Sequence, residues 1–492
     1  MIQNLAMRTP IQRIELGLTR RPAGAPALQW LCEGIRAAIA DGRLHPGTRL
    51  PSTRALALQV GLARRTVITA FEELQSQGYL DARMRSGTFV AVSSTSPARP
   101  SNLRARSPAG RSTAPALSRT ARQTATFDRF AESSPMAFRA HLPAVEEFPA
   151  KLWARLAWRR LRGATRAQLT GTGALGHASL RDVLAEYLRR SRAVRCEPSQ
   201  IAIVSGVQEA LSLVARLVVD PGDVVAVEDP GYIGAVRAFE SAGTRIRSLP
   251  VDGEGARVPT ADARVKLVYL TPAHQFPLGM SMTLARRLEF LAWAQASGAL
   301  LLEDDYDSEY RYWGKPLPSL QGLDRHGRVV FAGSFSKVLF PSIRLGYVVV
   351  PPALVDPLGR LLSVEGRQSS LLDQLVLRDF IADGHYFRHV RRMREIYGGR
   401  LTKLQTLANA RLRGRLEVSP IEAGLQTAAV LRAPLRADAV ARQAARRKVE
   451  VSPLSRYARA PLDFEGLLLG FGAADEREIA RGIEQLAVVL EC

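Results

Sequence analysis

The residues best placed to do chemistry in this chain follow short apolar runs. Lys337 closes Gly333-Ser334-Phe335-Ser336-Lys337, straight after Val329-Val330-Phe331-Ala332. A buried strand that ends in a lysine can deliver the amine to a cleft, where desolvation favours its neutral, nucleophilic form. Alone, such a lysine also suits an ordinary surface loop. Four other apolar runs end in similar fashion. Ser205-Gly206-Val207-Gln208 follows Ile201–Val204 and feeds a helix predicted over Glu209–Val219, and a glycine turn at a helix N-terminus can hold a phosphate on backbone N–H groups. Asp229-Pro230-Gly231-Tyr232 follows Val224–Val227 and offers an aromatic ring. Thr271 to Gly279 follows Leu267–Leu270 and contains His274, which either contacts a ligand or caps the turn before Pro277. Glu303-Asp304-Asp305-Tyr306 follows Leu300–Leu302.

Helical stretches such as Leu284–Ser297 lie between these runs, and Ile343 to Pro351 reads as the strand after Lys337. Short apolar strands alternating with helices predict an α/β fold, a mostly parallel sheet with helices on both faces. Ligands of such sheets bind outside the carboxyl ends of the strands, where the polar residues fall. A lysine, an acid, a tyrosine, an aromatic ring and a phosphate cradle on one cleft is the set that pyridoxal 5'-phosphate needs. The lysine forms a Schiff base, and the acid keeps the ring nitrogen protonated.

This constellation resembles the fold-type I aminotransferases and, more narrowly, the aminotransferase-like domain of MocR-type regulators. The narrower resemblance rests on Thr271–Gly279, on Glu303-Asp304-Asp305-Tyr306-Asp307-Ser308-Glu309-Tyr310-Arg311-Tyr312 and on Gly333–Lys337, and spans roughly residues 145–490. It implies that Lys337 is the Schiff-base lysine, that Asp304 partners the pyridine nitrogen and that Tyr306 bonds the ring hydroxyl. Tyr232 would stack on the ring, while Ser334, Arg344 and the backbone at Val207 and Gln208 would hold the phosphate. His274 either joins the cofactor set or caps its turn. In this family a C-terminal arginine clamps an effector carboxylate, and Arg456 in Ser452-Pro453-Leu454-Ser455-Arg456-Tyr457 is the counterpart. The late strand Leu467-Leu468-Leu469-Gly470-Phe471-Gly472 lacks the arginine that many aminotransferases carry just before it. Either Arg456 substitutes, or the effector is not an α-amino acid bound in the usual way.

The net charge of +22 is unevenly placed. Residues 1–135 hold 19 Arg and no Lys against 8 acidic residues, about half the excess in little more than a quarter of the chain, which is the footprint of a nucleic-acid-binding module. Apolar residues at Leu28, Leu31, Ile35, Ala38 and Ile39 predict a helix stopping near Asp41-Gly42. A second helix is predicted from the N-cap Ser52 through Val60, and a third from about Ala63 to Gln77. Two short strands, Tyr79-Leu80 and Gly87–Val90, flank a basic turn. That order is a winged helix-turn-helix, whose third helix enters the major groove. The stretch 25–92 resembles the GntR family of bacterial regulators in Gly42-Arg43-Leu44, Pro46-Gly47, Leu50-Pro51-Ser52-Thr53-Arg54, Arg65-Thr66-Val67 and Ser86-Gly87-Thr88-Phe89-Val90. Arg54, Arg64, Arg65 and Thr66 are the expected DNA contacts, with Gly87 and Thr88 on the wing. Ala63 stands where the family often has Ser or Thr, which removes a cap and shifts the first contact onto Arg64.

The segment 93–135, rich in Ser, Thr, Ala, Pro and Arg without apolar periodicity, reads as a flexible linker between the DNA-binding domain and an effector domain over 140–492. No run approaches the 18 apolar residues of a membrane span. Cys32, Cys196 and Cys492 are too scattered for a metal cluster and fit a reduced cytoplasmic protein. The expectation is a homodimeric, pyridoxal-phosphate-dependent transcription regulator. It would bind double-stranded operator DNA and respond to an amine or amino-acid effector reacting at Lys337. The alternative is a functioning aminotransferase with an added DNA-binding domain.

Overall fold

The computed structural model describes residues 21–22, 24–83, 86–92, 136–260, 264–314, 318–365 and 369–491. The predicted linker 93–135 and the tip of the predicted wing turn, Met84-Arg85, lie outside them. The chain forms two compact units, one within residues 1–116 and one within 117–492.

In the first unit α1 (Ala27–Ala40), α2 (Thr53–Val60) and α3 (Arg64–Ser76) precede the hairpin β1 (Leu80–Arg83) and β2 (Gly87–Val90). The helices bury one stripe each, Leu31/Ile35/Ala38, Leu56/Ala57 and Val67/Ala70/Phe71/Leu74, in a common core. Ser52 caps α2 by accepting from Ala55 N at 3.2 Å, and Gly61 ends it with φ +66, a conformation that only glycine adopts without strain. α3 starts at Ala63 with no side-chain cap. Arg36 on α1 reaches Glu73 of α3 and its C-cap Gln77, tying the two helices together. Leu50 N donates to Thr88 O and Val90 N to Thr48 O, so the segment before α2 pairs with the wing.

The second unit is built on an eight-stranded mixed sheet. Its strands are β3 (Ile201–Val204), β4 (Val224–Asp229), β5 (Arg245–Asp252), β6 (Gly255–Ala256), β7 (Val265–Leu270), β8 (Leu300–Asp305), β9 (Val329–Ser334) and β10 (Gly346–Val349). They lie in the order β3-β10-β9-β8-β7-β4-β5-β6. Strands β5, β4, β7, β8 and β9 run parallel, while β10 is antiparallel to both its neighbours. The runs of β3, β4, β9 and β10 are mostly apolar because both faces are covered. Ile201 and Ile203 join one core and Ala202 and Val204 the opposite one. A second sheet, in the order β11-β12-β14-β13, comprises β11 (Leu416–Val418), β12 (Gln426–Leu431), β13 (Ser452–Pro453) and β14 (Gly466–Gly470).

The strand expected from Ile343 begins later. Pro341–Ile343 form a 3-10 turn, Arg344 has φ +50, and β10 starts only at Gly346. The register explains the delay. Gly346 pairs with Ser334 on one side and Val204 on the other, and a Cβ on it would come within 2.9 Å of Gly333 O and 3.0 Å of Gly206 Cα. The chain must therefore finish its turn before entering a slot that admits only glycine.

Candidate functional site

The same register assembles the cleft. Because β10 runs opposite to β3 and β9, its first residue lies between their carboxyl ends, so Ser334 and the Gly206 turn flank one point. Gly206 has φ +112, and open space lies where its Cβ would be. It leads directly into the Val207–Val218 helix, whose first-turn N–H groups lack intrahelical partners. Ser205 donates from N and Oγ to Glu209 Oε2 at 2.5 Å, which fixes the turn. Arg344 is exposed two residues before Gly346.

Lys337 sits half-buried in the turn after β9, and its Nζ donates to the backbone oxygen of His141. His141 was not singled out in the sequence. Its φ is +71, its N donates to Gln426 Oε1 at 3.2 Å, and its ring stands 5.3 Å from Phe276. Phe276 is the hub of a ring cluster, with Tyr457 at 5.0 Å, Tyr232 at 5.9 Å and Tyr306 at 6.3 Å. Tyr232 also accepts from Gln208 Nε2 at 3.0 Å, which links the rings to the helix N-terminus. Gly234 permits this, since a Cβ there would lie 2.4 Å from the Tyr232 ring.

Asp304, on β8, is buried and accepts from Tyr269 OH at 2.6 Å. Tyr269 lies opposite Leu302, and Asp304, two residues further along, stays on the same face. Tyr269 hid inside an apolar strand run, where nothing separates it from core packing. Burial first, and then the Asp304 charge, push its phenol well above the ordinary range, so it remains a donor.

His274 does not cap its turn. The turn is closed by Gln275, whose N donates to Met280 O at 2.8 Å and whose Oε1 accepts from Leu278 N at 3.1 Å. His274 is instead buried, with Nδ1 3.0 Å from Asp307 Oδ1 and 2.9 Å from Tyr306 OH. Tyr306 OH also donates to the His274 carbonyl at 3.0 Å. Arg456 is exposed on the Leu454–Tyr457 turn, and its neighbour Tyr457 is the residue that joins the ring cluster.

Below the cleft, Glu228 on β4 accepts from Thr271 Oγ1 at 2.5 Å, and burial raises its pKa from 4.5 to about 7. Between those values the folded protein keeps a proton that the unfolded chain releases, so stability falls as pH rises through the window. Glu228→Gln retains an acceptor for Thr271 and removes the titration. From pH 5 to pH 8 its urea midpoint should gain on the wild type by an amount equivalent to roughly 2–3 kcal/mol. Parallel pH profiles would exclude Glu228 as the titrating group.

In the first unit Arg54, Arg64 and Arg65 are exposed, Thr66 is half-buried beside them, and Gly87 and Thr88 lie on the wing. Arg49, missed in the sequence, brings its Nε within 3.0 Å of a Cβ built on Gly87.

A winged helix-turn-helix on one unit, and an aminotransferase-like sheet with a lysine at its strand ends on the other, define a DNA-binding regulator with an aminotransferase-derived second domain. Residues 30–90 match the family of bacterial regulatory proteins called gntR, and residues 149–461 match aminotransferase class I and II. The chain is 39% identical over 468 residues to the probable rhizopine catabolism regulatory protein MocR of Rhizobium meliloti, covering 95% of this chain and 94% of that one. It is 33% identical to the HTH-type pyridoxine biosynthesis transcriptional regulator PdxR of Corynebacterium glutamicum, covering 91% and 92%. Among solved structures, the α-aminoadipate aminotransferase LysN of Thermus thermophilus superposes with a TM-score of 0.66 at 28% identity, covering 72% of this chain and 92% of that one. The kynurenine aminotransferase of Pyrococcus horikoshii shares the fold, with a TM-score of 0.70 at 24% identity over 76% of this chain and 96% of that one. The chain belongs to the GntR family of bacterial regulatory proteins, among the MocR-type members that carry an aminotransferase class I and II domain. It is accordingly a transcription regulator and not primarily an enzyme. No helix among the described residues is long and apolar enough to cross a membrane.

Proposed function

We propose that the second unit holds pyridoxal 5'-phosphate at Lys337, and that an amine or amino-acid effector reaching it changes the affinity of the winged-helix unit for operator DNA. The observation that carries this is the convergence of Lys337, the buried Asp304–Tyr269 pair and the Gly206 helix start at the carboxyl ends of one sheet. The donor set fits the group. The open Gly206 turn with Val207, Gln208 and Ser334 suits a phosphate, with Arg344 at its edge. Asp304 suits a protonated ring nitrogen, and the Tyr232 and Phe276 rings suit its faces. Tyr306, oriented by His274 and Asp307, is the phenol nearest to a ring hydroxyl in this reading.

When bound, pyridoxal phosphate supplies an aldehyde carbon that either the Lys337 amine or an incoming amine can hold, and a ring that draws electrons from it. This chain's residues decide which amine wins. A displaced Lys337 amine has an acceptor waiting in the His141 carbonyl. In this reading His141 and Tyr457 border the approach, and the exposed Arg456, one residue before Tyr457, clamps an effector carboxylate. The effector must favour one of two arrangements for its binding to reach the DNA heads. In this reading the protein is a homodimer in which each winged helix reads a half-site of a double-stranded operator. The exposed Trp158 and Leu161, one helical turn apart, support an apolar contact between copies. The buried free thiols Cys32 and Cys196 accord with a reducing cytoplasm.

The test pairs two readouts on the loaded protein. A panel of amines and amino acids is screened for loss of the bound-cofactor absorption band and, in the same samples, for a shift in operator Kd. A compound that changes both supports the reading. Spectral changes without any shift in operator affinity, or repeated turnover with a keto acid at enzymatic rates, would overturn it.

A further inference from the structure

Behind the His274–Asp307 pair lies a small cavity lined by Arg192, Ala273, Arg287, Ser308, Arg311 and Ala423. Three of the six lining residues are guanidinium-bearing and none is acidic. Arg192 and Ser308 are each more than nine-tenths buried, and Arg192 Nη2 and Ser308 Oγ have no hydrogen-bond partner among the described residues. Orphaned donors of this kind are rare in folded proteins, because an unsatisfied buried polar group loses its hydration without compensation.

Most of the neighbouring charged groups have partners of their own, the exception being Asp305 Oδ1, which is buried with no hydrogen-bond partner among the described residues. Arg192 Nε is paired with Asp305 Oδ2 at 2.5 Å. Arg287 donates to the backbone oxygens of Met282, Pro318 and Pro272. Arg311 binds Glu422 at 2.5 Å and donates to Ser281 Oγ at 2.8 Å. Glu303 accepts from Leu320 N and Gln321 N. Asp307 is bonded to His274, and Glu309 accepts from Tyr187 and Tyr386. Burial holds the Arg287 guanidinium below its ordinary pKa; Glu303 and Asp305 oppose that, while the Arg192 and Arg311 charges add to it. Three guanidinium groups line the cavity and no carboxylate does, although Asp305, Glu303 and Glu309 act on Arg192 from behind the wall.

We propose that this cavity is a binding site for a small monovalent anion, with chloride as the probe, the walls yielding by a few tenths of an ångström to take it in place of a water molecule. The anion accepts from Arg192 Nη2 and Ser308 Oγ and is held by the charges of Arg287 and Arg311. It joins three segments behind the cleft: Ala273 precedes His274, Ser308 follows Asp307, and Ala423 precedes Gly424, where a Cβ would fall 2.3 Å from His274 Nδ1 and 2.8 Å from Asp307 Oδ2. Occupancy therefore stiffens the support of His274, whether or not a cofactor is present.

The experiment is thermal unfolding of the full-length protein at constant ionic strength, with sodium gluconate replaced stepwise by sodium chloride. The second unit's midpoint should rise by about 2 °C for each tenfold increase in chloride past half-saturation. The Ser308→Ala/Arg311→Gln double variant, which leaves the buried Arg192–Asp305 pair intact, should lose that dependence. Crystals soaked in bromide should show an anomalous peak between Arg192 and Ser308. Midpoints equal in the two salts, a salt difference unchanged in the double variant, or density there without bromide signal would each overturn the proposal and leave an ordinary buried water.

Discussion

Replacing Lys337 by Ala is expected to abolish borohydride-stable labelling of the protein by pyridoxal phosphate and to remove any effect of amines on operator binding. The chain has only six lysines, at positions 151, 266, 315, 337, 403 and 448, so mapping the labelled peptide identifies the site without ambiguity. Lys151, Lys266 and Lys448 are exposed, and none of them offers the desolvation that leaves an amine neutral at working pH. The substitution should not unfold the unit. The segment carrying His141 keeps its bond to Gln426, Ala144 N still donates to Tyr397 OH at 2.9 Å, and Phe138 remains fully buried. If effector coupling lies in the ordinary range of about 5- to 150-fold in operator affinity, the variant should return a ratio of one while binding operator normally. An adduct that persists at another lysine would refute the assignment of Lys337. A wild-type effector response in the variant would instead refute the coupling.

What the sequence revealed of this arrangement follows physical lines. Strands β3, β4, β7, β8, β9 and β10 are buried on both faces and so appear as unbroken apolar runs, and the helix predicted over Leu284–Ser297 forms with those bounds. β5 escaped notice because it lies near the sheet edge, alternates exposed arginines with half-buried residues and contains Pro250. Of the four-stranded sheet only the late strand that forms β14 stood out, because β11 and β13 are three and two residues long and β12 and β14 pair across about forty residues. The site divides in the same way. Lys337, Asp304 and Tyr306 stand at strand ends, where a polar residue after an apolar run is conspicuous. Tyr269 is an aromatic within such a run, and its partnership with Asp304 exists only through the β7–β8 register. His141 depends on a left-handed backbone and on contacts nearly two hundred residues away, which no local pattern encodes. The two readings of His274 stayed open in the sequence for the same reason, since its partner Asp307 comes from a different strand end.

Arg65→Ala is expected to weaken operator binding by roughly 10- to 100-fold, about 1–3 kcal/mol, and to leave the stability of the first unit unchanged. Arg64 and Arg65 are the first two residues of α3, and both are exposed. Ala63 provides no side-chain cap, so the first-turn N–H groups and the positive end of the helix dipole remain available to a phosphate. An arginine at that end adds a full charge and a bidentate donor where the helix meets the groove. The readout separates two roles. If Arg65 meets a phosphate, affinity falls equally for all sequences and the slope of log K against log salt drops by about one; if it reads a guanine, the slope changes less and specificity relaxes at one position. Arg36→Ala supplies the contrast. Arg36 makes its contacts with Glu73 and Gln77 between α1 and α3, so its loss should lower the unfolding midpoint while the salt slope of the folded protein stays put. Unchanged affinity and salt dependence in Arg65→Ala would remove α3 from the groove, whatever its place in the fold.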